Sequence, residues 1–273
     1  MAVYALIYLS LKGVTEMVET FNQLLQGDCL EILDTLPSNS VDLICTDPPY
    51  FLPVNSYVGV RGEGYHKRTL ADTSILKGYF AQIFEKLNRV LKPTGTFYVF
   101  CDAQSYPIFY QTMYPHCEYV RLLIWDKILS YNGYTWRHQH ELIAWGEKEE
   151  SPRIATGDGD IIKCRGVLQA DRNHPAEKPL EILRKLILKS TKQGDVVLDP
   201  YMGSGSTCIA ACELERQYIG IELDEGHIQT AKERIKKQSS RLEAFINPDY
   251  KRKVVCNKVS KDSDLLQHLI GVK

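Results

Sequence analysis

An apolar strand, DVVLDP (195–200), runs into the loop YMGSGST (201–207), then an alanine-containing helix, then a second strand, YIGIEL (218–223), that closes on an acid. Strand, glycine loop, helix, strand and acid in that order is the plan of a parallel βαβ unit that binds a nucleotide. Gly203 and Gly205 let a ligand approach the backbone closely. Glu222 lies 23 positions beyond Asp199, a spacing that suits hydrogen bonds to ribose hydroxyls, so the ligand reads as an adenosine. A dinucleotide fingerprint needs a third glycine, and here Gly205 is followed by Ser206, Thr207 and Cys208. A nicotinamide or flavin pyrophosphate is disfavoured.

The same alternation runs through the rest of the chain. NQLLQ (22–26) reads as a strand ending at Gly27-Asp28, CLEILDTL (29–36) as a short helix stopped by Pro37, and VDLICT (41–46) as a buried strand. Apolar residues at Phe80, Ile83, Phe84, Leu87 and Leu91 predict a helix over 79–91, followed by a turn at Lys92-Pro93-Thr94-Gly95 and the strand TFYVF. YVRLLIW and ELIAW are further strands, LEILRKLILKST is a helix, and a last helix starts at Asp224. This pattern predicts a layered α/β sheet with helices on both faces. Residues 52–74 lack periodicity and read as a long loop of the kind that serves a substrate, and 147–173 reads as a variable surface lobe. Residues 1–16 read as an optional extension or an edge strand. Their apolar stretch, 3–10, is too short to span a bilayer and lacks a preceding basic region, so neither a membrane nor a secretory signal is expected.

Composition narrows the chemistry. The net charge is -1, so any surface for a polyanion must be local. The 8 cysteines form no C-x-x-C pair, and no histidine lies at metal-ligand spacing, so they read as reduced thiols of a cytoplasmic protein with no metal site. His138 and His140, two residues apart in a polar segment, read as surface groups.

A sharper signal follows VDLICT, where the chain continues as Asp47-Pro48-Pro49-Tyr50. Two successive prolines fix the backbone and remove two N–H donors, leaving carbonyl acceptors. A carboxylate, a carbonyl and an aromatic face together suit a planar ring that bears an NH2 group. An ordinary proline-rich turn with a packed tyrosine is the competing reading for the motif taken alone.

With both motifs in hand, the chain resembles the amino-methyltransferases of DNA that act on adenine N6 or cytosine N4. The resemblance spans roughly 22–237. It places the catalytic motif at Asp47, Pro48, Pro49 and Tyr50, the cofactor loop at Asp199, Tyr201, Gly203, Ser204 and Gly205, and the ribose contact at Glu222. HPAEKP (174–179) matches an element in which Lys178 looks like the partner of the cofactor's methionine carboxylate. Asp28 matches an element beside the cofactor's adenine. Tyr201 stands where the family more often has phenylalanine, which keeps an aromatic wall. The catalytic half precedes the cofactor half, as in the family's permuted beta class. The implied fold is therefore a circularly permuted, Rossmann-like methyltransferase sheet with S-adenosylmethionine as cofactor and a small target-recognition lobe. The implied divisions are a methyltransferase domain over 17–237 and a basic tail over 238–273. Within that domain the catalytic half is 22–125, the recognition lobe 126–172 and the cofactor half 174–237.

The resemblance implies a site-specific enzyme that methylates adenine N6 in double-stranded DNA by direct attack of a flipped base. Asp47 favours adenine over cytosine, because the cytosine enzymes more often carry serine there. Lys127, Arg137, His138, Arg153 and Arg172 are candidates to reach phosphates or base edges. A homodimer and a cognate restriction enzyme are the partners that the family allows. Cytosine N4, RNA, a protein amide, a non-catalytic nucleotide-binding regulator and a dehydrogenase are the alternatives, the last two disfavoured by Asp47, Tyr50, Lys178 and the glycine spacing.

Overall fold

The computed structural model describes residues 21–49, 73–128, 135–151, 157–166 and 177–246. Its strands are β1 (Gln23–Gln26), β2 (Val41–Thr46), β3 (Leu91–Cys101), β4 (Tyr119–Asp126), β5 (His140–Glu147), β6 (Ile161–Lys163), β7 (Val196–Asp199) and β8 (Gln217–Glu222). The helices are α1 (Cys29–Thr35), α2 (Thr73–Val90), α3 (Tyr106–Met113), α4 (Leu180–Ser190), α5 (Ser206–Glu213) and α6 (Glu225–Ile246). All eight strands join one sheet in the order β1-β8-β7-β2-β3-β5-β4-β6. Only β5 runs against the others, paired antiparallel with both β3 and β4.

The central strands are continuous apolar runs because both of their faces are covered. Along β3, Phe97, Val99 and Cys101 face a core shared with Leu33, Leu76, Phe80, Phe84 and Phe109 from α1, α2 and α3. The alternate residues Tyr98 and Phe100 face a second core with Leu183, Leu186 and Ile187 of α4 and Ala210 and Ala211 of α5. Strand β2 divides in the same way, Ile44 to the first core and Leu43 and Cys45 to the second. Helices on both faces of an α/β sheet are therefore observed as expected.

Several boundaries differ from the sequence reading. Helix α2 begins at Thr73, not at Tyr79, because the buried Leu76 continues its apolar stripe by another turn. Leu91, expected to end that helix, instead opens β3 opposite Val41. The next register pair is Leu43 with Thr96, so the expected turn at 92–95 is a bulge within the strand. Lys92 anchors it by donating to both oxygens of Asp42, at 2.7 and 2.8 Å. Part of the expected lobe belongs to the sheet, since β6 pairs in parallel with β4 and the Trp125 indole donates to the Cys164 carbonyl at 2.7 Å. Helix α6 carries the chain to Ile246, past the expected start of the tail at 238. Of the loop expected at 52–74, residues 52–72 lie outside the described residues, as do residues 1–16, and Thr73 and Ser74 belong to α2. Among the described residues no helix is long and apolar enough to cross a membrane.

The first core is anchored by aromatic edges. Phe109 meets Phe80 at 4.6 Å with rings at 86°, and Phe84 at 6.2 Å. Phe109→Ala therefore removes a fully buried ring that ties α3 to α2. The expected cost is about 3–5 kcal/mol in urea unfolding, and a loss below ~1 kcal/mol would contradict this packing.

Candidate active site

The strand order fixes where a ligand can sit. From β2 the chain proceeds outward to β3, and from β7 it proceeds in the other direction to β8, so the order reverses between the paired strands β7 and β2. The carboxyl ends of strands at such a reversal open into a crevice. The strand ends there are Thr46, leading into Asp47 and Pro48, and Asp199, leading into the glycine loop.

A buried hydrogen bond closes the seam between them. The Thr46 hydroxyl donates to Asp199 Oδ1 at 2.7 Å, and the Tyr201 N–H donates to the same oxygen at 3.1 Å. Burial pushes the Asp199 carboxyl up to about 6, against the lowering effect of the Thr46 and Thr207 hydroxyls.

The glycine loop is built to turn and to pack tightly. Gly203 and Gly205 have φ of 51° and 81°, left-handed values that glycine adopts without strain. A Cβ at Gly205 would lie 2.8 Å from the Ala231 Cβ, so this glycine also lets α6 press against the loop. The Gly203 N–H donates to Glu222 Oε2 at 3.0 Å, while Glu222 Oε1 accepts from the Leu223 and Asp224 N–H groups at 3.0 and 2.9 Å. The Glu222 carboxylate is thereby held at the rim of the crevice. The Gly27 N–H bonds the Glu222 carbonyl at 3.0 Å, and Asp28 caps α1 by accepting from the Leu30 N–H at 2.8 Å. The Tyr201 hydroxyl lies 2.8 Å from that of Tyr79 on α2.

The Asp47 carboxylate has two unlike oxygens. Oδ2 accepts from the Lys178 ammonium at 2.5 Å, whereas Oδ1 is buried and has no hydrogen-bond partner among the described residues. Burial raises the Asp47 carboxyl from its ordinary value, with Lys178 opposing. Pro48 is buried beside it and Pro49 is exposed. Tyr50, the remaining motif residue, lies outside the described residues, as do Arg153, Arg172 and the first half of HPAEKP.

The remaining expected residues divide clearly. Asp47, Pro48, Lys178, Asp199, Tyr201, Gly203, Ser204, Gly205 and Glu222 stand at the carboxyl ends of β2, β7 and β8 or are bonded to residues there, with Asp28 just past β1. Lys178 meets Asp47 and Glu141, two neighbours within the chain that the sequence reading did not name. Arg137 and His138 are exposed, and the described histidines, cysteines and acids form no group that could hold a metal ion.

Sequence reasoning missed three contributors. Arg234 on α6 donates to the carbonyl and hydroxyl of Ser204, both at 2.7 Å, and pairs with Glu177, clamping the glycine loop to the HPAEKP element. Glu141, at the start of β5, lies 3.3 Å from the Lys178 ammonium. Tyr79 supports Tyr201. Each comes from an element remote in sequence and carries no local motif.

Residues 41–233, more than half of the chain, match the N6_N4_Mtase family of DNA methylases. The chain belongs to this DNA methylase family. It is 31% identical to the Type II methyltransferase M.HinfI of Haemophilus influenzae, over 79% of this chain and 68% of that one. To the putative methylase YubD of Escherichia coli K12 it is 30% identical, over 78% and 90% of the two chains. The fold resembles the M1.HpyAVI–SAM complex with a TM-score of 0.57, 25% identity, and coverage of 78% and 98%. It also resembles the cytosine-N4-specific PvuII DNA methyltransferase, TM-score 0.60 at 17% identity over 81% and 92%, a likeness of fold alone.

The raised Asp199 carboxyl has a consequence for stability. Its folded value of about 6 exceeds the ordinary 3.8, so between these values the folded state holds the extra proton. Its contribution is greatest below the lower value and is lost as pH rises through the upper one. Asp199→Asn is expected to flatten that decline in unfolding free energy between about pH 4 and 6. An unchanged slope in denaturant titrations across this range would contradict the assignment.

Proposed function

We propose that this chain is a site-specific DNA methyltransferase that transfers the methyl group of S-adenosylmethionine to adenine N6 of a base rotated out of double-stranded DNA. The single observation that carries the reading is Asp47 Oδ1, a buried carboxylate oxygen without a partner among the described residues, at the crevice that the glycine loop also lines. Buried polar atoms are normally paired, so an open acceptor there calls for a donor from outside the chain. An amino group on a planar base supplies one.

The adenosine half of the cofactor fits the carboxyl ends of β7 and β8. Glu222 suits the ribose hydroxyls, Gly203, Ser204 and Gly205 allow close approach, and Tyr201, Asp199 and Asp28 complete the rim. S-adenosylmethionine, present in the M1.HpyAVI complex, supplies an electrophilic methyl on a sulfonium. The chain's own task is to prepare the nitrogen. An adenine amino group is a poor nucleophile because its lone pair is delocalised into the ring. Hydrogen bonds accepted by Asp47 Oδ1 and the Pro48 carbonyl pull the nitrogen toward tetrahedral geometry and direct its lone pair outward. Tyr50 stacks on the base, and the released proton passes to Asp47 or to solvent. No covalent enzyme intermediate is required, and positioning with preorganised electrostatics carries most of the acceleration.

The target amino group is inaccessible in a stacked duplex, so the base must leave the stack. The connection between β4 and β5 leaves the sheet at the edge where Asp47 lies. It bears Lys127, Arg137, His138 and the 89% exposed Trp136, side chains suited to phosphates, base edges and stacking. The aspartate of the motif supports adenine over cytosine. Likeness to a Type II methyltransferase supports recognition of a defined sequence and a role beside a cognate restriction enzyme.

Incubation of the protein with labelled S-adenosylmethionine and unmethylated DNA, followed by nucleoside digestion and mass spectrometry, is expected to yield N6-methyladenine. N4-methylcytosine would overturn the choice of base, and unlabelled DNA would overturn the reading. Asp47→Ala is expected to lower transfer by at least about 10³-fold, and full activity in that variant would contradict the mechanism.

A further inference from the structure

The Asp47 carboxylate is one end of a partly buried row of charges that the proposed reaction does not by itself require. Lys127, just past β4, donates to Glu141 Oε1 at 2.5 Å. Glu141 Oε2 lies 3.3 Å from the Lys178 ammonium, and Lys178 donates to Asp47 Oδ2 at 2.5 Å. Two ammonium and two carboxylate groups thus alternate from the base of the β4–β5 segment to the catalytic motif. The face of the Phe100 ring lies 5.1 Å from the Lys178 ammonium and closes a further side.

We infer that Glu141 is a positioning residue for methyl transfer, holding the Lys178 ammonium against Asp47 Oδ2 so that Oδ1 is the oxygen left open to the target amino group. The inference rests on the proposed role of Asp47. A lone buried ammonium is costly, and a single carboxylate partner leaves it free to swing across both oxygens of that partner. A second carboxylate, Glu141 at 3.3 Å, fixes it. Lys127 does for Glu141 what Lys178 does for Asp47, so neither carboxylate is left as an uncompensated buried charge. Burial alone would lower the Lys178 ammonium, yet Asp47 and Glu141 hold it above its ordinary value. Burial would likewise raise Glu141, yet Lys178 and Lys127 hold it below its own. Both charges therefore persist across the working pH range.

Glu141 also acts on Asp47 through the field. Its negative charge raises the Asp47 carboxyl while Lys178 lowers it. The other titratable groups facing Asp47 are Lys127, which lowers it, Asp199, across the seam, and the Cys45 and Cys101 thiols, which burial pushes far enough up to remain neutral. Removing either member of the Glu141–Lys178 pair therefore shifts Asp47 in opposite senses.

Glu141→Gln and Lys178→Met keep the shape of each side chain and remove its charge. Single-turnover methyl transfer as a function of pH, cofactor affinity by calorimetry and thermal unfolding are measured for both variants and the wild type. The rate is expected to fall about 10- to 100-fold in each, with cofactor affinity within about twofold of the wild type. Ionised Asp47 is the active form, so its acid limb moves to lower pH in Glu141→Gln and to higher pH in Lys178→Met. A merely structural role would leave both limbs in place. Unmoved limbs, or limbs that move in the same direction, overturn the inference. A large loss of cofactor affinity in Lys178→Met with the rate retained also overturns it, because it assigns Lys178 to the cofactor. A wild-type protein that transfers no methyl to DNA fails the parent reading instead, and is told apart by needing no variant.

Discussion

The hydroxyl of Thr46 and the carboxylate of Asp199 meet 2.7 Å apart at the seam where the strand order reverses, both of them buried. Strands β2 and β7 come from parts of the chain separated by more than a hundred residues, and their ends must align for one crevice to be shared between them. Register pairs Leu43 with Val197 and Ile44 with Leu198 bring the strands together, and the hydrogen bond fixes their ends. The Asp199 carboxylate then holds the Tyr201 N–H, which starts the glycine loop in a defined direction. Glu222 and Arg234 complete the loop from its far side, one accepting the Gly203 N–H and the other donating to Ser204.

On the other side of the seam, the end of β2 presents an electrostatic arrangement. Two prolines after a buried strand give a backbone that cannot donate at either position, which preserves acceptors where a base amino group needs them. Asp47 adds a carboxylate whose two oxygens are made unequal by Lys178. In a site screened from water, such a preset arrangement costs no reorganisation when the substrate arrives. The row from Lys127 to Asp47 also joins the end of β4 to the motif after β2, through side chains in direct contact.

Much of the fold was legible in the sequence because its signals are local. VDLICT spans the observed β2, and Gly203 and Gly205 stand in the loop between β7 and α5 that the sequence pattern expected there. The misread boundaries had tertiary causes. Leu76 extends α2 because a core lies beneath it, and Lys92–Gly95 bulge within β3 because Asp42 grips Lys92. No single-sequence signal marks β6, three residues long, as the partner of β4. In the site, Asp47 and Asp199 were legible because each lies in a short local motif at the end of an apolar strand. Glu141, Arg234 and Tyr79 were not, because each is brought to the site by topology alone. Lys178 was found for its motif, and its observed partners were not foreseen.

The account centres on one crevice, shared by the ends of β2, β7 and β8, that holds cofactor and target side by side. A crystal structure of the protein with S-adenosylhomocysteine tests this most directly. The account predicts the ribose at Glu222, the adenosine along the loop from Tyr201 to Gly205, and the sulfur facing the open oxygen of Asp47. A ligand bound away from the β7–β8 edge, or one whose sulfur points away from Asp47, would contradict it.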